Sequence, residues 1–207
     1  MKIVLFGAPS SGKGSQAKLI SNEFGLPQIS TGDILRDNIQ RQTEIGKFVE
    51  SIINRGELVP DNIMIEIIKE RINEEDCKNG YILDGFPRTL EQAKMLLKIT
   101  NIDVVIYIDV SIIEVERRAL SRRICPACGK IYNISNKFIE NCDDCGAKLI
   151  QRDDDKIDVI RHRIEKYLSQ SEPLIEFFRK KKLLKTVFSA ESPEETYKSV
   201  RKILLKI

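Results

Sequence analysis

The chain has 207 residues, which is enough for one hydrophobic core with small insertions. Hydrophobic residues make up 42% and charged residues 31%, as in ordinary globular proteins, and this argues against a disordered chain. A net charge of +3 is too small to indicate nucleic-acid binding, and no apolar run approaches the ~18 residues of a membrane-spanning helix. The chain starts within a predicted strand, so we expect no signal peptide and a cytoplasmic protein.

The first predicted strand leads directly into a glycine-rich loop at residues 7–15 (GAPSSGKGS). Ala17, Ile20 and Phe24 then recur at helical spacing. A strand, such a loop and a helix N-terminus form a phosphate-binding loop, in which backbone N–H groups surround a polyphosphate and lysine reaches its outer phosphates. We predict this role for Ser10, Ser11, Gly12, Lys13, Gly14 and Ser15.

Strand and helix patterns alternate along the rest of the chain. The segment 104–108 (VVIYI) is apolar and rich in β-branched residues, as is typical of a strand buried on both faces. Alternation of this kind predicts an α/β fold, a five-stranded parallel sheet with helices on both faces, interrupted by two insertions. The other strands are predicted at residues 2–6, 27–30, 81–84 and 185–188, and two of the helices at 110–121 and 194–205.

The third predicted strand ends in residues 84–88 (DGFPR). In open parallel sheets ligands bind beyond the carboxyl ends of the strands, so Asp84 is predicted to face the phosphate-binding loop and to orient Mg²⁺ through water molecules. The alternative is an aspartate that caps a turn. Arg88 follows a Gly-Phe-Pro turn, and its planar guanidinium suits a bidentate contact with phosphate.

Four of the five cysteines form two C-x₂-C pairs, Cys125 with Cys128 and Cys142 with Cys145. Two such pairs in a short segment predict a tetrahedral structural zinc site. A zinc ribbon that binds nucleic acid is the functional alternative, but the residues between the pairs lack a basic stripe. Because so short a segment buries little, the metal is expected to stabilise it and to take no part in chemistry.

Arginines flank this cysteine-rich insertion. Arg118 and Arg122 are four residues apart and are predicted to share one face of the preceding helix. Arg152 and Arg163 are eleven residues apart, so on one helix they would be separated by ~16 Å. If both contact one phosphoryl group, the chain has a hinge between them, at the three aspartates after Arg152. We therefore predict a site that is complete only when the insertion closes.

The helix after that hinge has a regular apolar pattern. Its buried stripe is predicted at Ile157, Ile160, Ile164 and Leu168. The single histidine of the chain, His162, lies among charged residues of this helix and is expected to be solvated.

Four segments together resemble the adenylate kinase family: residues 7–15, 30–33 (STGD), 84–88 and 151–155 (QRDDD). The resemblance covers essentially the whole chain and is nearest to the bacterial long form with a zinc-bearing lid. It implies reversible phosphoryl transfer from MgATP to AMP, giving two ADP, by a cytoplasmic monomer that carries structural Zn²⁺. It also implies a P-loop core (1–29, 60–120 and 159–207), an AMP-binding domain (30–59) and a zinc-binding lid (121–158).

The same resemblance implies roles for individual side chains. Taken without it, Arg36 would be read as a solvated arginine and Gln92 as a surface glutamine. For Thr31, a helix N-cap alone is the alternative, and for Tyr132 the alternative is packing inside the lid. The catalytic residues implied are Lys13, Asp84, Arg88, Arg122, Arg152 and Arg163. The ATP-binding residues are 10–15 with Arg118, Arg122, Ile131, Tyr132 and Glu191. The AMP-binding residues are Thr31, Arg36, Glu57, Leu58, Val59, Gly85, Phe86, Pro87, Arg88, Gln92, Arg152 and Arg163.

Two alternatives remain open at this point. The acceptor could be UMP, CMP or GMP, although Gln92, whose amide both donates and accepts, favours AMP. In a different class, the chain could be an ATP-binding regulatory module whose zinc ribbon contacts nucleic acid. The near-neutral charge and the set of phosphate-facing arginines argue against that module, so the expected partners are nucleotides, with neither nucleic acid nor membrane.

Overall fold

The computed structural model describes residues 1–135 and 139–207, and a five-stranded parallel sheet lies at its centre. The strands are β1 (Lys2–Phe6), β2 (Gln28–Ser30), β3 (Tyr81–Asp84), β4 (Val104–Asp109), β5 (Arg122–Ile124), β6 (Ile131–Asn133) and β7 (Leu184–Phe188). The central sheet has the order β2-β3-β1-β4-β7, and all of its strand pairs are parallel. The predicted fold class is confirmed.

Helices connect these strands, and serine or threonine side chains cap several of them. The Ser111 hydroxyl accepts a hydrogen bond from Glu114 N, and the Ser192 hydroxyl accepts one from Glu195 N. No helix in the described ranges is long and apolar enough to cross a membrane. The helices are α1 (Lys13–Phe24), α2 (Thr31–Gln40), α3 (Glu44–Asn54), α4 (Asp61–Ile72), α5 (Leu90–Ile99), α6 (Ile112–Ser121), α7 (Ile157–Lys180) and α8 (Pro193–Leu204).

The core lies on both faces of the sheet. Along β1, Val4 and Phe6 pack into one buried cluster, whereas Ile3 and Leu5 pack into a second cluster on the other face. Successive side chains of a strand point to opposite faces, so a strand that is apolar at every position must be covered on both. This explains the near-continuous apolar sequences of β1 and β4.

Strand register brings the functional segments together. Leu5 on β1 pairs with Asp84 on β3, and Asp84 in turn pairs with Ser30 on β2. The loop after β1, the turn after β3 and the start of α2 therefore leave the sheet at one edge. This is the edge at which parallel sheets bind ligands.

The first insertion consists of the two packed helices α2 and α3. Gly46 on α3 lies directly against the α2 backbone, because a Cβ built on it would be 2.0 Å from Asn38 O. The side chain of Thr43 caps α3 by accepting a hydrogen bond from Gly46 N at 3.0 Å. Close backbone approach therefore sets the angle between these helices.

We expect Gly46→Ala to destabilise this insertion. Overpacking costs about 1–3 kcal/mol, and a clash with backbone cannot be relieved by a side-chain rotation. The free energy of unfolding should fall by about that amount in urea titrations. Ser51→Ala, at an exposed position of the same helix, serves as the control and should leave the midpoint nearly unchanged.

The second insertion contains a small antiparallel pair, β5 with β6. Isolated bridges join Ile124 to Ile150 and Asn141 to Lys148. Its buried cluster in the described residues consists of Cys125, Tyr132, Cys142 and Leu149, with Ile139 and Ala147 packed against it. So small a cluster agrees with the expectation that this segment needs a further stabilising element.

Two predictions about helices are wrong. Helix α6 ends at Ser121, and Arg122 is extended (φ −70°, ψ 135°) at the start of β5, so Arg118 and Arg122 do not share a helix face. In the stripe predicted for α7, Ile160 and Ile164 are buried, whereas Ile157 and Leu168 are 40% and 52% exposed. Leu168 is eight residues beyond Ile160 and therefore lies about 80° from it around the helix. The stripe continues instead through Leu174 and Phe178.

Candidate active site

A cavity of about 720 Å³ opens at the carboxyl ends of β1 and β3. Its volume is in the range of small-molecule sites. Residues of the phosphate-binding loop, both insertions and α7 line it together. The site-forming segments predicted from the sequence thus converge on one space.

The phosphate-binding loop presents unpaired donors to this cavity. Gly12 has φ 98° and precedes α1, whose N-terminus is not capped by a side chain. Among the described residues, the buried Ser10 hydroxyl has no hydrogen-bond partner, and Ser10 itself has φ 56°. Free N–H groups at a helix N-terminus, with a free hydroxyl beside them, are the donors that a phosphate needs.

Lys13 is folded back onto the loop. Its Nζ donates hydrogen bonds to Gly7 O at 2.9 Å and to Ala8 O at 2.6 Å. Burial lowers the pKa of Lys13 to about 7, although the Asp84 carboxylate raises it, and the Arg88 guanidinium lowers it further. The lysine is therefore only partly charged at neutral pH until an anion binds beside it.

We expect ATP binding to take up protons at pH 8. The empty site holds Lys13 mostly neutral at that pH, since its pKa is about 7, whereas a bound polyphosphate stabilises the ammonium and raises the pKa. Affinity should accordingly fall as the pH rises above about 7. Calorimetry in two buffers of different ionisation enthalpy measures the uptake, and Lys13→Met should abolish it. Binding heats that do not depend on the buffer would contradict this prediction.

Asp84 lies beside the loop, at the end of β3. Its Oδ2 accepts a hydrogen bond of 3.0 Å from Nε2 of Gln28, so the side-chain partner of Asp84 lies on the neighbouring strand β2 and not in the turn after β3. Burial raises the pKa of Asp84, while the positive charge of Lys13 lowers it. A single carboxylate at this position fits an outer contact with a hydrated Mg²⁺.

Three of the arginines predicted to contact phosphate are held by hydrogen bonds, one to the turn after β3 and two to the aspartates at 154 and 155. Arg88 Nε donates to Gly85 O at 2.7 Å, and Arg163 Nη1 donates to Asp154 Oδ2 at 2.7 Å. Arg122 is paired with the fully buried Asp155 through two hydrogen bonds. The Arg152 Nε atom is buried without a partner in the described part of the chain.

Helical structure is interrupted between Arg152 and Arg163, at the position where a hinge is predicted. Arg152 precedes a 3₁₀ turn at Asp153–Asp155, and α7 begins only at Ile157. The two arginines nevertheless line the same cavity. Their separation in sequence is therefore compatible with contact to one ligand.

Positive charge accumulates in this cavity. Burial lowers the pKa of Arg88 to about 10, with Arg163 as a further cause, and burial lowers that of Arg152 to about 10, with Arg36 as a further cause. Buried cations that disfavour one another's charge are stabilised when a multivalent anion enters. The cluster therefore has the charge that suits phosphoryl groups.

A smaller pocket adjoins the cavity on the side of the first insertion and shares Arg36, Arg88 and Arg163 with it. Ser30, and not Thr31, caps α2 by accepting from Asp33 N at 3.3 Å. The buried Thr31 hydroxyl instead donates to Gly85 O at 3.1 Å. The pocket is lined by Thr31, Glu57, Leu58, Val59, Gly85, Phe86 and Gln92, whereas Pro87 lines the main cavity.

One further expectation about this region is wrong. His162 is not simply solvated, because its Nε2 is hydrogen-bonded to Glu57 Oε1 at 2.7 Å and its side chain is 35% exposed. Glu57 also pairs with Lys166 at 3.1 Å, so it joins the first insertion to α7. Arg36, which would be read as a solvated arginine without the family resemblance, pairs with Asp33 at 2.5 Å. Gln92 is buried.

The opposite end of the cavity is formed by the segment after β7. Arg118 donates to Ser189 Oγ at 2.8 Å and to Ala190 O at 3.1 Å, directly before Glu191. Arg118, Arg122, Ile131, Tyr132 and Glu191 all line the cavity. Tyr132 is also packed in the lid cluster, where its hydroxyl donates to Cys142 Sγ at 3.1 Å.

The four paired cysteines form one cluster. Their Sγ atoms all lie within 4.8 Å of one another, with Cys125 to Cys145 at 3.3 Å and Cys128 to Cys142 at 3.6 Å. A tetrahedral zinc ion with Zn–S bonds of about 2.3 Å requires sulfur atoms about 3.8 Å apart. The cluster therefore fits Zn²⁺, as predicted.

A family model described as "Adenylate kinase" matches residues 5–183. The chain belongs to the adenylate kinase family. It is 47% identical to the adenylate kinase of Petrotoga mobilis over 99% of this chain and 97% of the relative. It is 44% identical to that of Thermodesulfovibrio yellowstonii over 100% of both chains, and 45% identical to that of Archaeoglobus fulgidus over 100% and 99%.

Family membership agrees with the class of enzyme deduced from the sequence, a phosphotransferase of the nucleoside monophosphate kinase type. The sequence did not reveal Gln28 and Asp61, which hold Asp84 and Gln92. Asp61 follows Pro60 at the first turn of α4, which is a helix-start pattern, but no local signal connects it with Gln92. Such partners are brought together only by the tertiary fold.

Proposed function

We propose that the protein transfers the terminal phosphoryl group of MgATP to AMP reversibly, giving two ADP. The observation that carries this proposal is one cavity in which buried cations face both the phosphate-binding loop and the pocket of the first insertion. Two nucleotides bound head to head would place their phosphates among these cations. Membership of the adenylate kinase family supports the same reaction.

On the donor side, residues 10–15 hold the β- and γ-phosphates of ATP, and Lys13 turns from its backbone acceptors to the phosphates. Arg118, Ile131, Tyr132 and Glu191 form the surroundings of the donor nucleoside. Arg122 contacts the donor phosphates from the lid side. These roles follow from the shared cavity and from the family's pattern.

On the acceptor side, Arg36 and Arg88 hold the α-phosphate of AMP. Thr31, Leu58, Val59, Phe86 and Gln92 surround its nucleoside in the adjoining pocket. The remaining members of this surface are Glu57, Gly85 and Pro87.

The chemical step needs no strong general base. An ionised oxygen of the AMP phosphate attacks the γ-phosphorus of ATP, and the bond from that phosphorus to the β–γ bridging oxygen breaks, so ADP leaves. Arg88, Arg152 and Arg163 stabilise the charge spread over the transferring group. Closure of the lid over the cavity excludes water, which would otherwise accept the phosphoryl group.

Two metals complete the proposal. Asp84 would hold Mg²⁺ through water molecules, and the ion would supply charge neutralisation at the phosphates of ATP. Cys125, Cys128, Cys142 and Cys145 would hold Zn²⁺, which would stabilise the lid. We further propose a cytoplasmic monomer with a core at 1–29, 60–120 and 159–207, an AMP-binding domain at 30–59 and a lid at 121–158.

The test is nucleotide chromatography after incubating the zinc-loaded protein with MgATP and one acceptor at a time. We expect ADP only with AMP. Turnover with UMP, CMP or GMP but not with AMP would reject AMP as the acceptor. Absence of turnover with every acceptor would reject the kinase function and favour a nucleotide-binding module, for which salt-dependent binding to RNA or DNA is the next assay.

A further inference from the structure

The amide of Gln92 is held at both of its ends by protein groups. Its Oε1 accepts a 2.7 Å hydrogen bond from the backbone N–H of Arg88, and its Nε2 donates a 2.7 Å hydrogen bond to Oδ1 of Asp61. Asp61 in turn accepts from the Thr89 hydroxyl at 3.1 Å, and that hydroxyl caps α5 by accepting from Gln92 N. Gln92 is 2% exposed.

This arrangement allows only one orientation of the amide. A backbone N–H can only donate, and an ionised carboxylate can only accept. A flipped amide would place N–H against N–H at Arg88 and oxygen against oxygen at Asp61. Both mismatched contacts would be buried, and unsatisfied polar groups are costly there.

A locked amide has consequences for base recognition, because Gln92 lines the acceptor pocket. After its two protein bonds, the amide keeps one N–H and one oxygen lone pair, in a fixed order. Adenine presents a donor at its 6-amino group and an acceptor at N1. Hypoxanthine and guanine present the reverse, an acceptor at O6 and a donor at N1. A fixed amide therefore matches one class and opposes the other.

We propose that Asp61 is a specificity-determining positioning residue, which fixes the amide of Gln92 so that it matches adenine and rejects 6-oxopurines. Asp61 acts through Gln92 and does not contact the nucleotide. This inference rests on the proposed function, since it takes AMP as the acceptor.

The experiment compares kcat/KM for AMP with kcat/KM for IMP, which differs from AMP at these two ring positions without the 2-amino group of guanine. We expect Asp61→Ala to lower the AMP-to-IMP ratio by about tenfold, since the amide is then free to flip. Asp61→Asn keeps an acceptor oxygen opposite Nε2 and should restore most of the ratio. The KM for MgATP should not change.

The control is Asp37→Ala, at an exposed aspartate of α2 that pairs with Arg41, and it should leave the ratio unchanged. An Asp61→Ala ratio equal to that of the wild type would overturn the inference, as would a parallel loss of activity with both acceptors. Equal defects in Asp61→Asn and Asp61→Ala would also overturn it, because charge at the start of α4 would then be the cause.

A second readout does not depend on turnover. In the wild type, one side-chain amide proton of Gln92 should exchange slowly with solvent in NMR spectra, and Asp61→Ala should speed that exchange. Fast exchange already in the wild type would contradict the locked amide. If the wild-type protein transfers the phosphoryl group to none of the acceptors, the proposed function fails. Slow exchange of the Gln92 amide proton would still show that Asp61 and Arg88 hold the amide.

Discussion

Replacement of Arg88 by alanine should lower kcat by about 10²–10³-fold. In other enzymes, removal of a preorganised group that stabilises the transition-state charge has an effect of this size. Arg88 lies at the junction of the two pockets, and Gly85 O and Gln92 fix its position. We expect the substitution to leave the folded structure and its stability intact. Burial and then Arg163 lower the pKa of Arg88 to about 10, so its charge is less favourable in the folded protein than in the unfolded chain.

The measurement is kcat by coupled assay together with the melting temperature. The matched control is Arg179→Ala, which removes an exposed arginine of α7 that pairs with Glu176. We expect this control to retain wild-type activity. If Arg88→Ala turns over at a near-normal rate while folded, Arg88 has no part in transfer.

Loss of one zinc ligand should disable the lid without unfolding the core. In Cys142→Ser the cluster keeps three thiols, and the buried residues around it are too few to hold the segment by themselves. We expect bound zinc to fall well below one per chain and kcat to fall about tenfold or more, because the lid carries Arg122 and Arg152. The core sheet should still melt cooperatively.

Metal content by mass spectrometry and far-UV circular dichroism separate these effects. Cys77→Ala is the control, since Cys77 is buried beside Arg71 and lies outside the four-thiol cluster. This variant should retain its zinc. A Cys142→Ser protein that keeps full activity without metal would show that the lid does not depend on the cluster.

Local sequence patterns were sufficient for the sheet and for the segments that form the cavity. The stretch 104–108 could be recognised as a strand because it is buried on both faces and thus apolar throughout. The phosphate-binding loop and the cysteine pairs are recognisable for a related reason, since their chemistry requires fixed residue types at fixed short spacing. Neither feature depends on distant parts of the chain.

Contacts between distant segments could not be predicted in this way. His162 was expected to be solvated because its neighbours in sequence are charged, yet its partner Glu57 is 105 residues away. Without the family resemblance, Gln92 would be read as a surface glutamine for the same reason, although Asp61 and Arg88 hold its buried amide by hydrogen bonds. Arg122 was misplaced because a spacing of four residues indicates a shared face only while the helix continues, and α6 ends one residue earlier.

The proposed reaction is phosphoryl transfer between two nucleotides in a cavity that excludes water. The most direct measurement is ³¹P NMR of the zinc-loaded protein incubated with Mg²⁺ and ADP alone. We predict that ATP and AMP accumulate in equal amounts, without inorganic phosphate. Formation of AMP and phosphate without ATP, or no reaction of ADP, would contradict the account.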